Sequence, residues 1–166
     1  MKTKKIATYG LLVALAFILS YVETLVTIPF PPVPGMKLGL ANLVVLAALY
    51  TMGGKESLVL SVLRIVLVGF TFGHPSTMLF SIAGGLLSWI LMLLFMKTKW
   101  FSLVGVSIVG GISHNIGQIL VAIYIVDNIN IAYYLPYLLI TGAVTGTLIG
   151  ILGAMIVKRI KNVQNT

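Results

Sequence analysis

The sequence predicts an all-α membrane protein, a bundle of about six transmembrane helices with both termini cytoplasmic. Three observations predict it. The 166 residues are 59% hydrophobic and only 8% charged, and they contain three acids in all, Glu23, Glu56 and Asp127. A soluble domain carries about 25% charged residues, so this chain cannot build a water-facing surface. Its apolar runs show no strong polar face, as expected of helices in lipid. The cations, finally, sit at the ends of those runs and not within them.

Each predicted helix follows from its limits. Lys2, Lys4 and Lys5 precede the first apolar run, residues 6–22. A basic start of this kind imitates a signal peptide. No small-x-small cleavage site follows it, only Glu23, Thr24 and a proline cluster, so the reading is a retained first helix. The second helix is expected over 38–52 and the third over 58–72, with Gly53-Gly54-Lys55-Glu56 as the turn between them. The fourth starts near Pro75, where a missing N–H costs nothing. It runs to 96, before Lys97-Thr98-Lys99-Trp100. The fifth is expected over 101–126 and the sixth over 134–157, ahead of Lys158-Arg159-Ile160-Lys161. A crossing needs roughly 20 apolar residues, so six of them use up the chain as one membrane domain, 1–166.

Orientation comes from charge. With six spans, one side holds Lys2, Lys4, Lys5, Lys55, Lys97, Lys99, Lys158, Arg159 and Lys161, and the other only Lys37. Positive loops stay cytoplasmic, which sets the expected orientation. The net charge of +8 is therefore topological. Split among termini and turns, it forms no patch for nucleic acid.

At about fifteen residues the second and third helices are short for the bilayer, and short or interrupted segments point to binding sites in transporters. The proline-rich stretch 29–35 before the second helix cannot be helical. It is expected to fold over the outer mouth of the bundle, shielded by protein or lining a cavity.

Several chemistries are excluded. The chain has no cysteine, hence neither disulfides nor thiolate metal sites. No two acids are neighbours, so no carboxylate cluster can hold a magnesium pyrophosphate. Gly53-Gly54-Lys55-Glu56-Ser57 imitates a P-loop, but the glycine five places earlier is replaced by Leu49 and the hydroxyl residue by Glu56. The chain is expected not to be an enzyme, and nothing in it calls for a cofactor.

The polar residues inside the spans are the candidate site. Arg64 lies mid-helix, where an unpartnered cation is costly, so it requires partners. It serves either as counter-ion to a polar or anionic ligand, or structurally, bonded to carbonyls of the proline segment or to Glu23. In the fifth helix Ser107, Gly111, His114 and Gln118 share a face, with Asn115 beside it. These side chains bind a ligand or bridge helices. A metal is not expected, since the only other histidine, His74, lies near the outer end of the third helix and no carboxylate is obviously available. Gly142, Gly146 and Gly150, flanked by Thr141 and Thr145, read as close helix packing, with the threonines able to offer hydroxyls to a ligand. Gly10 and Ala14, continued by Ala16 and Ser20, form a small-residue stripe for internal packing or for docking another membrane protein.

The run Pro34-Gly35-Met36-Lys37-Leu38-Gly39-Leu40-Ala41-Asn42, the six short helices and the small-residue first helix together resemble a known family. It is the Gx transporter, or heptaprenyl diphosphate synthase component I, family, related to the substrate-binding S components of energy-coupling factor (ECF) vitamin transporters. The resemblance covers nearly the whole chain and is most specific in that run. It implies a subunit that captures a small-molecule nutrient from outside. Such a subunit then joins a transmembrane coupling protein and two cytoplasmic ATPases, and topples in the bilayer to release its ligand. S components dock through Ala-x-x-x-Ala on the first helix; the matching pair here is Gly10 and Ala14, a departure that keeps the close approach. Their ligands lie in the outer half under the loop after that helix, which matches Lys37 and Asn42. The expected ligand set is thus Lys37, Asn42, Arg64, His114, Asn115, Gln118 and Thr141. Two alternatives remain, a membrane component of prenyl diphosphate or quinone synthesis and a partner of a flavoprotein electron-transfer system.

Overall fold

The computed structural model describes residues 2–25, 37 and 39–165. Among these, six α-helices follow one another: α1 (Lys2–Leu25), α2 (Asn42–Thr51), α3 (Gly54–Thr71), α4 (Pro75–Thr98), α5 (Leu103–Val126) and α6 (Leu135–Asn165). A 3-10 helix, Ile129–Tyr134, leads into α6. The expected cover formed by the proline stretch 29–35 lies outside the described residues.

Four segments are long and apolar enough to cross a membrane: Ile6–Leu25, Pro75–Thr98, Leu103–Val126 and Ile129–Val163. The helix limits differ from expectation in an ordered way. Lysine and arginine are good helix formers, so basic ends prolong helices instead of stopping them. α1 begins at Lys2, and α6 carries Lys158, Arg159 and Lys161 within it. Likewise Gly54, Lys55 and Glu56 open α3 and are not a turn. Only α2 is short. Its ten residues reach about 15 Å, whereas the eighteen of α3 reach about 27 Å, which corrects the expectation for that helix.

The ends are set locally. Pro75 occupies the first turn of α4, and the His74 N–H donates to Thr77 Oγ1 at 2.9 Å. Asp127 closes α5 in a left-handed conformation (φ 52°). The false P-loop is accounted for as well. The Ser57 hydroxyl donates to Gly54 O at 2.9 Å and accepts from Trp89 Nε1 at 3.0 Å.

The helices alternate in direction. At one end Tyr9 OH of α1 donates to Glu56 O at the start of α3 (3.4 Å), and Gly54 lies against Leu93 near the end of α4. Gly153 of α6 meets Leu103 at the start of α5 there too. This is the end that holds Lys55, Lys97, Lys99, Lys158, Arg159 and Lys161. At the other, Phe72 after α3 packs edge-on against Phe17 and Tyr21 of α1.

The bundle buries its polar groups within a mostly apolar interior and exposes apolar faces outside. On α3 the buried stripe is Ser57, Leu60, Ser61, Arg64, Ile65 and Val68, while Val62, Leu63, Val66, Leu67 and Phe70 are exposed. On α1, Ser20 and Glu23 are buried and Leu11 and Ile18 exposed. A soluble protein does not expose such apolar faces, and polar groups in lipid turn to the bundle interior. α2 is the inner element, buried from Asn42 through Leu49. α5 packs chiefly between α4 and α6. Gly142, Gly146 and Gly150 face α5 as expected. A Cβ on Gly146 would stand 2.8 Å from Ile108 Cα, and one on Gly150 2.8 Å from Val104 Cα.

Candidate functional site

Away from the basic end, five elements bring buried polar groups together beneath the turn at Gly39. Glu23 is 5% exposed on the inner face of α1. Its Oε1 accepts from the Leu40 N–H at 3.1 Å and from the Gly39 N–H. The carboxylate thereby fixes the turn that enters α2, where Asn42 N–H closes back on Gly39 O at 2.8 Å. Gly39 has φ +85°, and a Cβ there would stand 3.1 Å from His114 Cδ2 and 3.2 Å from Asn42 Nδ2. Glycine is needed on both counts, conformation and space. Gly39→Ala should therefore lower thermal stability by about 1–2 kcal/mol from its left-handed backbone alone. Melting of the purified protein in detergent reads this, and an unchanged midpoint would refute the strained turn.

α5 supplies His114 and Gln118, one turn apart and 2% and 1% exposed. The Gln118 amide brackets Lys37: Oε1 accepts from Lys37 N–H and Nε2 donates to Lys37 O, both at 3.0 Å. That pairing fixes the amide orientation, so the second Nε2 hydrogen faces His114 Nε2. His114 Nε2 then accepts, and His114 Nδ1 is buried near Gly84 of α4 without a hydrogen-bond partner among the described residues. Burial pulls the half-buried Lys37 ammonium below its ordinary value, with the Glu23 carboxylate opposing and Arg64 assisting. Lys37, Glu23 and Arg64 thus share one field.

Arg64 stands 4% exposed between α1 and α4. Nη1 donates to Ser20 Oγ at 3.5 Å. Among the described residues, Arg64 Nε and Nη2, Glu23 Oε2 and Ser61 Oγ are buried without hydrogen-bond partners. Buried polar groups are normally satisfied, so several orphans in one region mark it as the candidate site. Asn42 is buried too, with Nδ2 donating to Ser88 Oγ at 3.3 Å.

The expected site residues therefore divide. Lys37, Asn42, Arg64, His114 and Gln118 converge near the Gly39 turn. Asn115 turns instead to α6, where Nδ2 donates to Leu138 O at 2.7 Å and lies 3.5 Å from Thr141 Oγ1. That geometry bridges helices. Ser20, Ser61 and Ser88 were not anticipated, and Glu23 was anticipated only as a possible partner of Arg64. A signal existed for Ser61, which lies three residues before Arg64 and shares its face. On α1, Gly10 and Ala14 are exposed whereas Ala16 and Ser20 are buried, so the small-residue stripe is two faces. Among the described residues no group of three or more His, Cys, Asp or Glu could hold a metal ion.

Comparison with known proteins bears on this arrangement. No curated protein and no solved structure matches the chain. The family model described as heptaprenyl diphosphate synthase component I matches residues 12–156, which takes in every converging residue of the site. The chain belongs to the heptaprenyl diphosphate synthase component I family.

Proposed function

We propose that the chain is the S component of an ECF-type transporter, the membrane subunit that captures a small vitamin-like or quinone- or isoprenoid-related nutrient. The observation that carries this reading is the group of buried, unpartnered polar atoms of Glu23, Ser61 and Arg64 near the Gly39 turn. In this reading the six-helix bundle spans the cell membrane, with the short α2 inside it. The basic end faces the cytoplasm by the positive-inside rule, and the site opens to the exterior. Energy comes from partners, a transmembrane coupling protein and two cytoplasmic ATPases.

The exposed face of α1 suits that assembly. Gly10 and Ala14 lie on it one turn apart, and a Cβ on Gly10 would meet nothing within 4 Å. A partner helix can approach closely there. Co-expression with an ECF coupling module should yield a stable complex. Gly10→Leu with Ala14→Leu should weaken it at least about tenfold, a loss of about 1.4 kcal/mol. An undiminished complex would rule out docking through this face.

The family's description favours a second reading, a non-catalytic membrane component of prenyl diphosphate synthesis. Magnesium-dependent chain elongation that requires this subunit, with no complex formed with a coupling module, would establish it in place of the first.

A further inference from the structure

Arg64 has three guanidinium nitrogens, and the described residues engage one of them. Nη1 reaches Ser20 Oγ, while Nε and Nη2 have no partner among the described residues. In a planar guanidinium, Nε–H and one N–H of Nη2 point the same way along a single edge. That parallel pair matches the two oxygens of one oxyanion. A glycine of α4 adjoins this edge: a Cβ on Gly85 would stand 3.2 Å from Ile65 Cδ1, 3.6 Å from Ser61 Oγ and 3.8 Å from Arg64 Nη2.

Charge chooses among oxyanions. By formal charge Arg64 and Lys37 are positive and Glu23 negative, and the balance of one positive charge is the same whether Lys37 and Glu23 are both ionised or have exchanged a proton. A monoanion balances it. A diphosphate would bury excess negative charge, and among the described residues no metal-holding group exists to offset it. Glu23 Oε2, an unpartnered acceptor, calls for a donor on the same ligand.

We propose, resting on the ligand-capture reading above, that the unpartnered edge of Arg64 binds the single carboxylate of a small organic acid. Ser61 Oγ lies beside that carboxylate, and Glu23 Oε2 accepts from an N–H or O–H on the ligand body. The occupant is an acid with a polar donor, not an isoprenoid diphosphate.

The chain has two arginines, Arg64 and Arg159, so arginine labelled with nitrogen-15 gives two Nε–H signals in the full-length protein in detergent. The conservative variant R159K, at an exposed position of α6, assigns them. Acetate or benzoate should move the Arg64 signal saturably, while benzamide and inorganic pyrophosphate leave it in place and the Arg159 signal stays put. R64K keeps the charge but lacks the paired edge, and should lose the rise in melting temperature that benzoate gives the natural chain. If R64K does not fold, the signal of the natural chain decides alone. A response to benzamide or pyrophosphate equal to that of the acids, or no response to either acid, overturns the assignment. A module complex that forms while the Arg64 signal ignores both acids would overturn the carboxylate and leave transport standing. A saturable acid response without any complex would do the reverse.

Discussion

Neutralising the two opposite charges together, E23Q with R64M, should leave the bundle at least as heat-stable as the natural chain, whereas R64M alone should destabilise it by about 3–5 kcal/mol. The difference comes from what each variant leaves behind. Glu23 and Arg64 are both almost fully buried, and each has atoms that nothing among the described residues satisfies. Removing only the guanidinium leaves a buried carboxylate with two backbone N–H donors on Oε1 and only the half-buried Lys37 ammonium as counter-charge. Removing both removes the desolvation cost of each charge. The glutamine amide of E23Q keeps an oxygen for the Gly39 and Leu40 N–H groups, and the methionine of R64M keeps much of the apolar stem of arginine. Replacing a buried ion pair with neutral groups of similar volume is often neutral or stabilising by about 1–4 kcal/mol. The measurement is a double-variant cycle of thermal unfolding in one detergent, where the coupling between the two sites is the quantity sought. A double variant that melts as low as R64M would mean that the pair holds the helices together and is not a recognition site.

The sequence foretold helices better than their faces, and the bilayer is the reason. Hydropathy and charge placed six apolar segments, the starting proline of α4 and the glycine seam of α6, since each depends on local composition. Which side of a helix turns inward is normally read from its apolar stripe. In lipid that stripe faces out, and a mostly apolar inner face erases the contrast. Ser20 and Glu23 on α1 therefore looked no more inward than Gly10 and Ala14, although spacings of four, four and three residues put Leu12, Ala16, Ser20 and Glu23 on one stripe. Asn115 and Thr141 show the converse difficulty. Mid-helix polarity made them candidates for ligand contact, while the α6 carbonyl that engages Asn115 is a tertiary fact. Chain ends misled for another reason. Lysine and arginine mark the membrane boundary but not the end of a helix, so α1, α3 and α6 all run past the limits their apolar residues suggest.

Alanine at Gly111 and alanine at Gly10 should act in opposite directions, although both replace a helical glycine by the best helix former. In an open position that exchange stabilises a helix by about 0.5–1 kcal/mol. Gly10 is such a position, for its Cβ would meet nothing within 4 Å. A Cβ on Gly111 would lie 2.3 Å from Gly142 O, with Gly142 C and Gly146 Cα each 3.2 Å away. All three are backbone atoms of α6, so no side-chain rotation relieves the clash and the helices must separate. Overpacking of this kind costs about 1–3 kcal/mol and at times more, which easily outweighs the gain in propensity. Inside a bilayer little else draws α5 and α6 together, because lipid is as apolar as their side chains and close contact is itself the attraction. The consequence reaches the site. α5 is held from the other side by Gly117, whose Cβ would stand 2.6 Å from Ala83 O of α4. His114 lies between these two glycine contacts along the helix, and Gln118 directly follows the second. G111A should thus lower the melting temperature and also disturb the pairing of Gln118 with Lys37, while G10A raises the midpoint and leaves that pairing intact. Thermal unfolding of both variants in one detergent, with hydrogen exchange at the Lys37 amide, reads both effects. If G111A melts with the natural chain, the α5–α6 seam does not set the position of the site.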